Sequence, residues 1–329
     1  MQHLTDIYLG IDVGSVSTNV VAIDSTGNVL SSVYTRTRGQ PIQAIQRGLA
    51  ECAEQLFLLG PPDSFNVRGV GTTGSARQLA SVVAGADVVK NEITAHAVAA
   101  SHFIPDVSTI IEIGGQDSKI IILRGGIVSD FAMNTVCAAG TGSFLDQQAS
   151  RLGMAIEDFG PIALKSKNPV RIAGRCTVFA ESDMIHKQQM GHAIEDILAG
   201  LCEAIVRNYL NNVGRGKDIQ PPLVFQGGVA ANVGVRAAFE KALGMKVTVP
   251  EHFAVMGALG AALLAAEERE HTDKPSAFLG FQATEFNYEA RSFECDHCPN
   301  TCEIVEILRE GSVVARWGSR CLRWEVRTS

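Results

Sequence analysis

The sequence predicts an α/β fold made of two related halves, followed by a small cysteine-rich extension. Three observations carry this prediction. Residues 11–24 and 111–124 match in residue type at nearly every step, strand-like segments alternate with helix-like segments, and four of the eight cysteines lie beyond residue 290. An internal repeat sets the architecture of a chain, so the repeat is considered first.

Both copies of the repeat predict a strand, a tight turn and a second strand. The first copy begins I-D-V-G-S-V-S-T-N and the second I-E-I-G-G-Q-D-S-K, so Asp12 and Glu112 align, as do Gly14 and Gly114. Small and polar turn residues leave backbone N–H groups and hydroxyls available to bind an anion. The residues expected to contact phosphate are Gly14, Ser15, Ser17, Thr18, Gly114, Gly115 and Ser118. Two hairpins facing each other would hold a polyphosphate from both sides. Two ordinary hairpins with shared turn chemistry are the alternative.

Composition restricts the class of protein. With 329 residues, 46% apolar and 19% charged, the chain is long enough for two domains or one duplicated unit. A net charge of −7 argues against a nucleic-acid or anionic-membrane partner. No apolar run reaches the roughly 18 residues that span a bilayer, and the first residues lack a signal-peptide pattern. We therefore expect a cytoplasmic protein with halves at 1–104 and 105–270 and an extension at 285–329.

Helices and glycine turns link the two repeats. Residues 41–59 predict an amphipathic helix, and residues 90–103 predict a helix that enters the second half. Gly69, Gly71 and Gly74 match G-x-G-x-x-G, a weak dinucleotide fingerprint. A close crossing of strand and helix explains the same three glycines.

The second repeat also suggests metal and water chemistry. If the nucleotide is ATP, it requires Mg²⁺, a hard cation held by few carboxylates and several waters. Asp12 and Asp117 are the natural candidates for Mg²⁺ and catalysis. Gln116 is positioned to orient an attacking water, as glutamine does in other NTPases.

Two cysteines occupy turns that precede predicted helices. Cys137 begins a small-residue turn that includes Gly140, Thr141 and Gly142, which we expect to contact the cofactor. Cys176 follows Arg175 and again precedes a helix. A thiolate at the positive end of a helix has a lowered pKa and ligates metals well. Two unrelated core cysteines are the alternative.

The last part of the second half predicts a long helix and a glycine turn. The helix covers residues 191–213, and its expected inward positions are Ile194, Ile197, Leu198, Leu201, Ile205 and Tyr209. Cys52 and Cys202 fall on apolar helix faces, which indicates core positions. A strand and helix then flank Gly227 and Gly228, which allow a flat base to approach the backbone, with Asn232 near the helix start.

These motifs together resemble a known family. The paired hairpins resemble the phosphate loops of the actin-like ATPases, which include acetate and sugar kinases. The segments C-A-A-G-T-G from Cys137 and C-T-V-F-A-E-S from Cys176 are similar to those of ATP-dependent activators of 2-hydroxyacyl-CoA dehydratases and of benzoyl-CoA reductase ATPase subunits. Thr135 and Val136 depart from short-form activators, which usually carry a charged pair there.

The resemblance implies a fold, cofactors and partners. The fold would be a duplicated actin-like ATPase with two ribonuclease-H-like halves that binds ATP or ADP with Mg²⁺. Gly227, Gly228 and Asn232 would contact adenosine, and Cys137 and Cys176 from two copies would hold one 4Fe–4S cluster in a homodimer. The partner would be an acyl-CoA dehydratase or reductase component, and the electron donor ferredoxin or flavodoxin.

The extension carries its own metal-ligand pattern. Its cysteines are Cys295, Cys298, Cys302 and Cys321, in the spacing C-x-x-C-x-x-x-C plus one. This pattern fits a second iron–sulfur cluster, and a structural Zn²⁺ site with His297 as another ligand is the alternative. The chain ends soon afterwards, so a short form and a fragment of a longer activase both remain open.

The expected function is ATP hydrolysis coupled to low-potential electron transfer. One alternative is a small-molecule, sugar-type kinase, although no third acid stands out as its catalytic base. A non-enzymatic ATP-dependent metal-binding switch is the other alternative.

Overall fold

The computed structural model describes residues 4–134, 138–270, 272 and 274–327. The chain divides into two compact units. Unit 1 comprises residues 1–95 and 257–329, and unit 2 comprises residues 96–256. The halves predicted at 1–104 and 105–270, with an extension at 285–329, place their limits differently and stay predictions.

Unit 1 begins with a five-stranded sheet and two helices. The elements in chain order are β1 (Thr5–Val13), β2 (Ser17–Asp24), β3 (Val29–Arg36), α1 (Pro41–Leu59), β4 (Phe65–Thr73), α2 (Arg77–Ala84) and β5 (Val88–Val89). The strand order is β3-β2-β1-β4-β5. β1, β2 and β3 pair antiparallel, whereas β4 and β5 join parallel to β1.

Unit 2 repeats this sheet. Helix α3 (Glu92–Phe103) leads from unit 1 into it, and the following elements are β6 (Thr109–Ile113), β7 (Ser118–Arg124), β8 (Ile127–Asn134), α4 (Gly142–Arg151), α5 (Ile156–Ala163), α6 (Thr177–Gln189), α7 (Ile194–Asn212), β9 (Leu223–Gln226), α8 (Val233–Leu243) and β10 (Val247–Thr248). The order β8-β7-β6-β9-β10 has the same strand directions as the first sheet. The predicted duplication is therefore present in the strand topology.

The chain returns to unit 1 through a helix and a third sheet. These elements are α9 (Met256–Glu270), β11 (Tyr288–Glu294), β12 (Glu303–Arg309), β13 (Ser312–Trp317) and β14 (Val326–Arg327). The four strands form an antiparallel meander. Its inner side joins the hydrophobic core of unit 1 through Tyr288, Ile307 and Ala315. The extension is therefore part of unit 1 and shares its hydrophobic core.

Two of the three glycines in the predicted fingerprint serve strand–helix packing. Gly69 and Gly71 lie inside β4, where α9 crosses it. A Cβ added at Gly71 would lie 2.0 Å from the carbonyl oxygen of Ala261, so only glycine permits this approach. The close crossing of strand and helix is therefore confirmed for these two positions.

The amphipathic helices pack largely as the sequence predicts. α1 spans the predicted residues 41–59 and buries its apolar face. α7 buries the predicted positions except Ile194, which begins the helix and is 40% exposed. Burial raises the pKa of the Cys52 thiol to about 11 and that of the Cys202 thiol to about 12, as core positions require. Within the described ranges, no helix is long and apolar enough to cross a membrane.

Candidate functional site

The turn between β6 and β7 is closed by its own backbone. The N–H of Gly114 donates to the carbonyl oxygen of Asp117 at 3.0 Å. A Cβ at Gly114 would lie 2.9 Å from Asp117 Oδ1, so glycine lets the carboxylate fold back over the turn. Gln116 is exposed at the tip, where it is free of the core.

A buried lysine holds two carboxylates beneath this turn. Lys119 Nζ lies 2.9 Å from Glu112 Oε2 and 3.0 Å from Asp117 Oδ2. The Lys119 and Glu112 side chains are almost fully buried, and the Asp117 side chain is 35% exposed. Two carboxylates and one ammonium leave a single net negative charge among the three groups. A cation at the exposed side of Asp117 would balance it.

Three glycine segments predicted from the sequence meet at the same turn. Gly142 N donates to Gly114 O at 2.8 Å, and Ser143 donates to Gly115 O through both its backbone N–H, at 2.9 Å, and its hydroxyl. Gly227, at φ +86°, approaches the strand so closely that a Cβ would lie 2.7 Å from Glu112 Oε1. The turn of Gly114 and Gly115, the segment after Cys137 and the turn of Gly227 therefore lie together in unit 2.

Several buried polar atoms around this site have no protein partner. Asn232 caps α8 by accepting from the N–H groups of Gly234 and Val235, which leaves its Nδ2 for another acceptor. Among the described residues of unit 2, the buried atoms without a hydrogen-bond partner are Ser118 Oγ, both amide atoms of Gln148, Gln226 Oε1 and Asn232 Nδ2. Such groups are rare in native interiors. Together with the glycine contacts, they fit a site for a polar ligand such as a nucleotide.

A neutral histidine contacts Gln226, the residue just before Gly227. His96 Nδ1 lies 2.9 Å from Gln226 Nε2, so it accepts a hydrogen bond from this amide. Burial, and secondarily the charge of Lys119, lowers the pKa of His96 to about 3. His96 is therefore an uncharged, hydrogen-bonded core residue, as expected for a satisfied histidine.

The corresponding turn in unit 1 is built with hydroxyls. Gly14 N donates to Ser17 O at 2.9 Å, and Thr37 Oγ1 donates to Gly14 O at 2.9 Å. Thr18 is buried and its hydroxyl lies 3.0 Å from Thr37 Oγ1, so it braces the turn. Ser15 is exposed at the tip, and Asp12 is partly exposed at the end of β1.

A second tight glycine adjoins the unit 1 turn. Gly74, at φ +88°, approaches Asp12 so closely that a Cβ would lie 2.4 Å from its Oδ1. Gly74 thus occupies, beside Asp12, the role that Gly227 has beside Glu112. The third glycine of the fingerprint therefore packs against the end of β1 rather than at the helix crossing.

Cys176 precedes α6 as predicted. It is the N-cap residue of that helix and is partly exposed. The next residues, Val178 and Phe179, expose 65% and 64% of their surface. Cys137 lies outside the described residues, so the predicted cysteine pair stays a prediction.

Three cysteines of the extension lie between β11 and β12, and Cys321 lies between β13 and β14. Cys295 is buried and accepts a hydrogen bond from Trp324 Nε1 at 3.3 Å, while Cys298 and Cys321 are exposed. In the ranges that the structure describes, no three His, Cys, Asp or Glu side chains come close enough to hold a metal ion. A second cluster or zinc at Cys295, Cys298, Cys302 and Cys321 gains no support from this geometry and stays a prediction.

Sequence reasoning missed the internal support of the site. Lys119 is the cross-strand partner of Glu112, just as Asn19 faces Asp12. The aligned repeats place Lys119 opposite Asn19, which was the available signal for this pairing. Asn208 was also missed, although a polar residue beside the apolar face of a predicted helix indicates a buried contact.

Comparison with known proteins gives one family. The model of the BadF/BadG/BcrA/BcrD ATPase family matches residues 9–265. The (R)-2-hydroxyglutaryl-CoA dehydratase activating ATPase of Acidaminococcus fermentans is 36% identical over 264 residues, covering 78% of this chain and 96% of that protein. The 2-hydroxyisocaproyl-CoA dehydratase activator of Clostridioides difficile is 34% identical over 267 residues, covering 81% and 97%.

A solved structure agrees. The activator of the 2-hydroxyisocaproyl-CoA dehydratase from Clostridium difficile, with bound ADPNP, has a TM-score of 0.73 at 33% identity and covers 80% of this chain and 96% of that chain. This similarity confirms the α/β fold of the actin-like ATPase type. The predicted metal-binding character of the extension lies outside what it shows.

Proposed function

Because the chain belongs to the BadF/BadG/BcrA/BcrD ATPase family, we propose that it hydrolyses ATP to drive electrons into a partner acyl-CoA dehydratase or reductase. The observation that carries this proposal is the junction between Gly114–Gly115 and Gly142–Ser143. It bonds the phosphate turn directly to the helix that follows Cys137. A change in the phosphates can therefore move the segment that follows Cys137.

Each unit contributes backbone and side chains to nucleotide chemistry. The N–H groups at the tips of the two turns, those of Ser15 and Gly115, would bind phosphate oxygens, because the N–H groups of Gly14 and Gly114 close the turns. Asp12 in unit 1 and Asp117 in unit 2 are the carboxylates that would hold Mg²⁺ directly or through water. Lys119 keeps the Asp117 carboxylate in place. The exposed Gln116 orients the attacking water.

Unit 2 residues bind the adenosine. Gly227 and Gly228 present bare backbone to the base, and Asn232 Nδ2, which has no protein partner, donates to the ribose or base. His96 stays neutral and fixes the Gln226 amide beside this turn. Binding in this pocket positions the phosphates for hydrolysis.

Cys176 has the position of a cluster ligand. It is the N-cap residue of a 13-residue helix, whose positive end attracts negatively charged groups. A 4Fe–4S cluster, when bound, supplies a one-electron carrier and requires four thiolates. Cys137 and Cys176 from two copies provide four, so we propose a homodimer with ferredoxin or flavodoxin as donor.

The exposed residues after Cys176 suit contact with another protein. Val178 and Phe179 lie within one turn of the ligand cysteine. Their burial against a second copy or the dehydratase would shield the electron path from water.

Turnover assays test the ATPase part. Wild-type protein with Mg²⁺ should release inorganic phosphate from ATP without any added sugar. Asp117→Asn should reduce turnover by about 100-fold or more, within the range seen for loss of one electrostatic catalytic group. Asp106→Asn, an exposed aspartate ahead of β6, is the matched control and should retain turnover. Phosphate transfer to a sugar with no release of inorganic phosphate would overturn the proposal in favour of a kinase.

A further inference from the structure

Two neighbouring residues of α7 place polar groups inside the core of unit 2. Asn208 is 1% exposed and Tyr209 is fully buried. Buried amides and hydroxyls need hydrogen-bond partners, so the contacts of this pair show which segments the helix holds in place.

Asn208 holds the backbone immediately before Cys176. Its Nδ2 donates to the carbonyl oxygens of Gly174, at 3.1 Å, and Arg175, at 2.9 Å. Its Oδ1 accepts from Asn212 Nδ2 at 3.0 Å. Both amide protons are therefore committed to the loop that positions the cysteine.

The same side chain also contacts the other cysteine segment. A Cβ added at Gly140 would lie 2.8 Å from Asn208 Oδ1, so the turn after Cys137 rests against this amide. The turn continues to Gly142 and Ser143, which bond to the phosphate turn. One asparagine thus touches the loops that lead from Cys137 and into Cys176.

Tyr209 ties the helix to the phosphate turn from the other side. Its hydroxyl donates to the carbonyl oxygen of Lys119 at 2.7 Å. Burial raises the pKa of Tyr209, so the hydroxyl stays protonated and remains a donor. Lys119 in turn holds Asp117 and Glu112.

We propose that Asn208 and Tyr209 are positioning residues that transmit the nucleotide state of the Asp117 turn to the backbone before Cys176. Binding of the nucleotide with Mg²⁺ at the Asp117 turn displaces Lys119, Tyr209 carries this displacement into α7, and Asn208 passes it to Gly174 and Arg175. A densely packed interior transmits such shifts because its side chains cannot absorb them. The inference rests on the proposed function because that function supplies the nucleotide. What it adds is the route by which the Asp117 turn and Cys176 are coupled.

The test uses the full chain purified without iron and follows the Cys176 thiol directly. Iodoacetamide labels the thiols with and without ADPNP and Mg²⁺, and mass spectrometry of the Cys176 peptide gives its rate. Wild-type protein should show a nucleotide effect of about fivefold or more, the lower end of usual coupling between sites. ADPNP affinity is measured separately.

Two variants and two matched controls identify the route. Asn208→Ala and Tyr209→Phe should each bring the nucleotide effect on Cys176 close to unity while ADPNP still binds. Asn211→Ala changes an exposed asparagine of the same helix and should keep the effect. Tyr288→Phe removes another buried tyrosine hydroxyl, bonded to the Val83 carbonyl in unit 1, and should also keep it.

The outcomes separate this inference from the proposed function. A wild-type Cys176 rate that ignores bound ADPNP overturns the inference, as does a full effect in Tyr209→Phe, which retains the ring that packs the core. Failure of the chain to bind ADPNP would instead overturn the proposed function. Because Tyr209→Phe removes one oxygen only, it keeps the test decisive if Asn208→Ala unfolds.

Discussion

The two predicted phosphate turns have the same backbone hydrogen bond and differ in the side chains that support them. Gly14 donates to Ser17 O at 2.9 Å, and Gly114 donates to Asp117 O at 3.0 Å. Across each hairpin, however, Asp12 faces Asn19 whereas Glu112 faces Lys119. The first turn is braced by threonine hydroxyls and the second by a buried ion network.

This difference shows how a duplicated turn becomes specialised. The glycine and the turn hydrogen bond fix the backbone in both units, so the residue across from the acid is able to change. In unit 2 a lysine at that position organises two carboxylates and links them to α7 through its carbonyl oxygen. The proposed coupling through Lys119 and Tyr209 therefore belongs to unit 2.

The largest expected effect comes from breaking the network. Lys119→Met leaves Glu112 and Asp117 without their cation, and removing one partner of a buried pair costs about 3–5 kcal/mol of unfolding free energy. Asn19→Leu, the equivalent change in unit 1, should cost far less, because Asn19 Oδ1 has no partner there. Urea unfolding of both variants measures the contrast. Equal losses would show that the two turns are not specialised.

An intermediate effect is expected at the two left-handed glycines. Gly74→Ala and Gly227→Ala each place a Cβ within 2.8 Å of an acid's oxygen or the neighbouring backbone, at φ +88° and +86°. Both should lose about 1–3 kcal/mol or more of stability, together with nucleotide affinity. Gly126→Ala has φ +76° with nothing within 4 Å, so it isolates the backbone strain. Calorimetry measures the affinity of both variants for ADPNP. A loss of affinity in only one of them would contradict the geometry that the two glycines share.

A further expected effect is a pH dependence of stability that arises from His96 in unit 2. His96 has a pKa of about 3 in the folded chain against an ordinary value of 6.5. Below about pH 6.5 the unfolded chain therefore binds a proton that the folded chain excludes. Protonation of His96 in the unfolded chain should lower the unfolding free energy by about 1.4 kcal/mol for each pH unit from about 6.5 down to about 3. Above pH 6.5 His96 should cause no change of stability with pH.

His96→Gln removes this titration and is the matched comparison. The difference in stability between wild type and His96→Gln should change across pH 6.5 to 4 and stay constant from pH 7 to 8. A difference that is flat over both ranges would mean that His96 is charged or exposed in the folded chain.

Sequence patterns predicted the parts of the fold that depend on local periodicity. The repeat at residues 11–24 and 111–124 predicted both hairpins, and the apolar spacing predicted α1 and most of α7. The prediction that Ile194 is buried was wrong, because an amphipathic pattern does not show which end of a helix extends beyond the core. The pairing of Gly74 with Asp12 also escaped, since it depends on contacts between distant strands.

The sequence singled out glycine turns that the structure brings together in unit 2, and it missed the residues that support them. Turn glycines and carboxylates have recognisable spacing, whereas Lys119, Asn208 and Gln226 act through long-range hydrogen bonds. The four cysteines of the extension show the opposite case. Their spacing predicts a metal, but the structure keeps Cys295 buried against Trp324 and leaves Cys298 and Cys321 exposed.

Iron and sulfide analysis of anaerobically purified protein, with EPR after dithionite reduction, tests the central claim most directly. Wild type should contain about four irons for every two chains, as one bridging cluster requires. Both Cys137→Ala and Cys176→Ala should lose the iron together with the EPR signal. Additional iron that survives in these variants would place a second cluster at the extension. Protein that hydrolyses ATP but holds no iron under these conditions would contradict ATP-driven electron transfer.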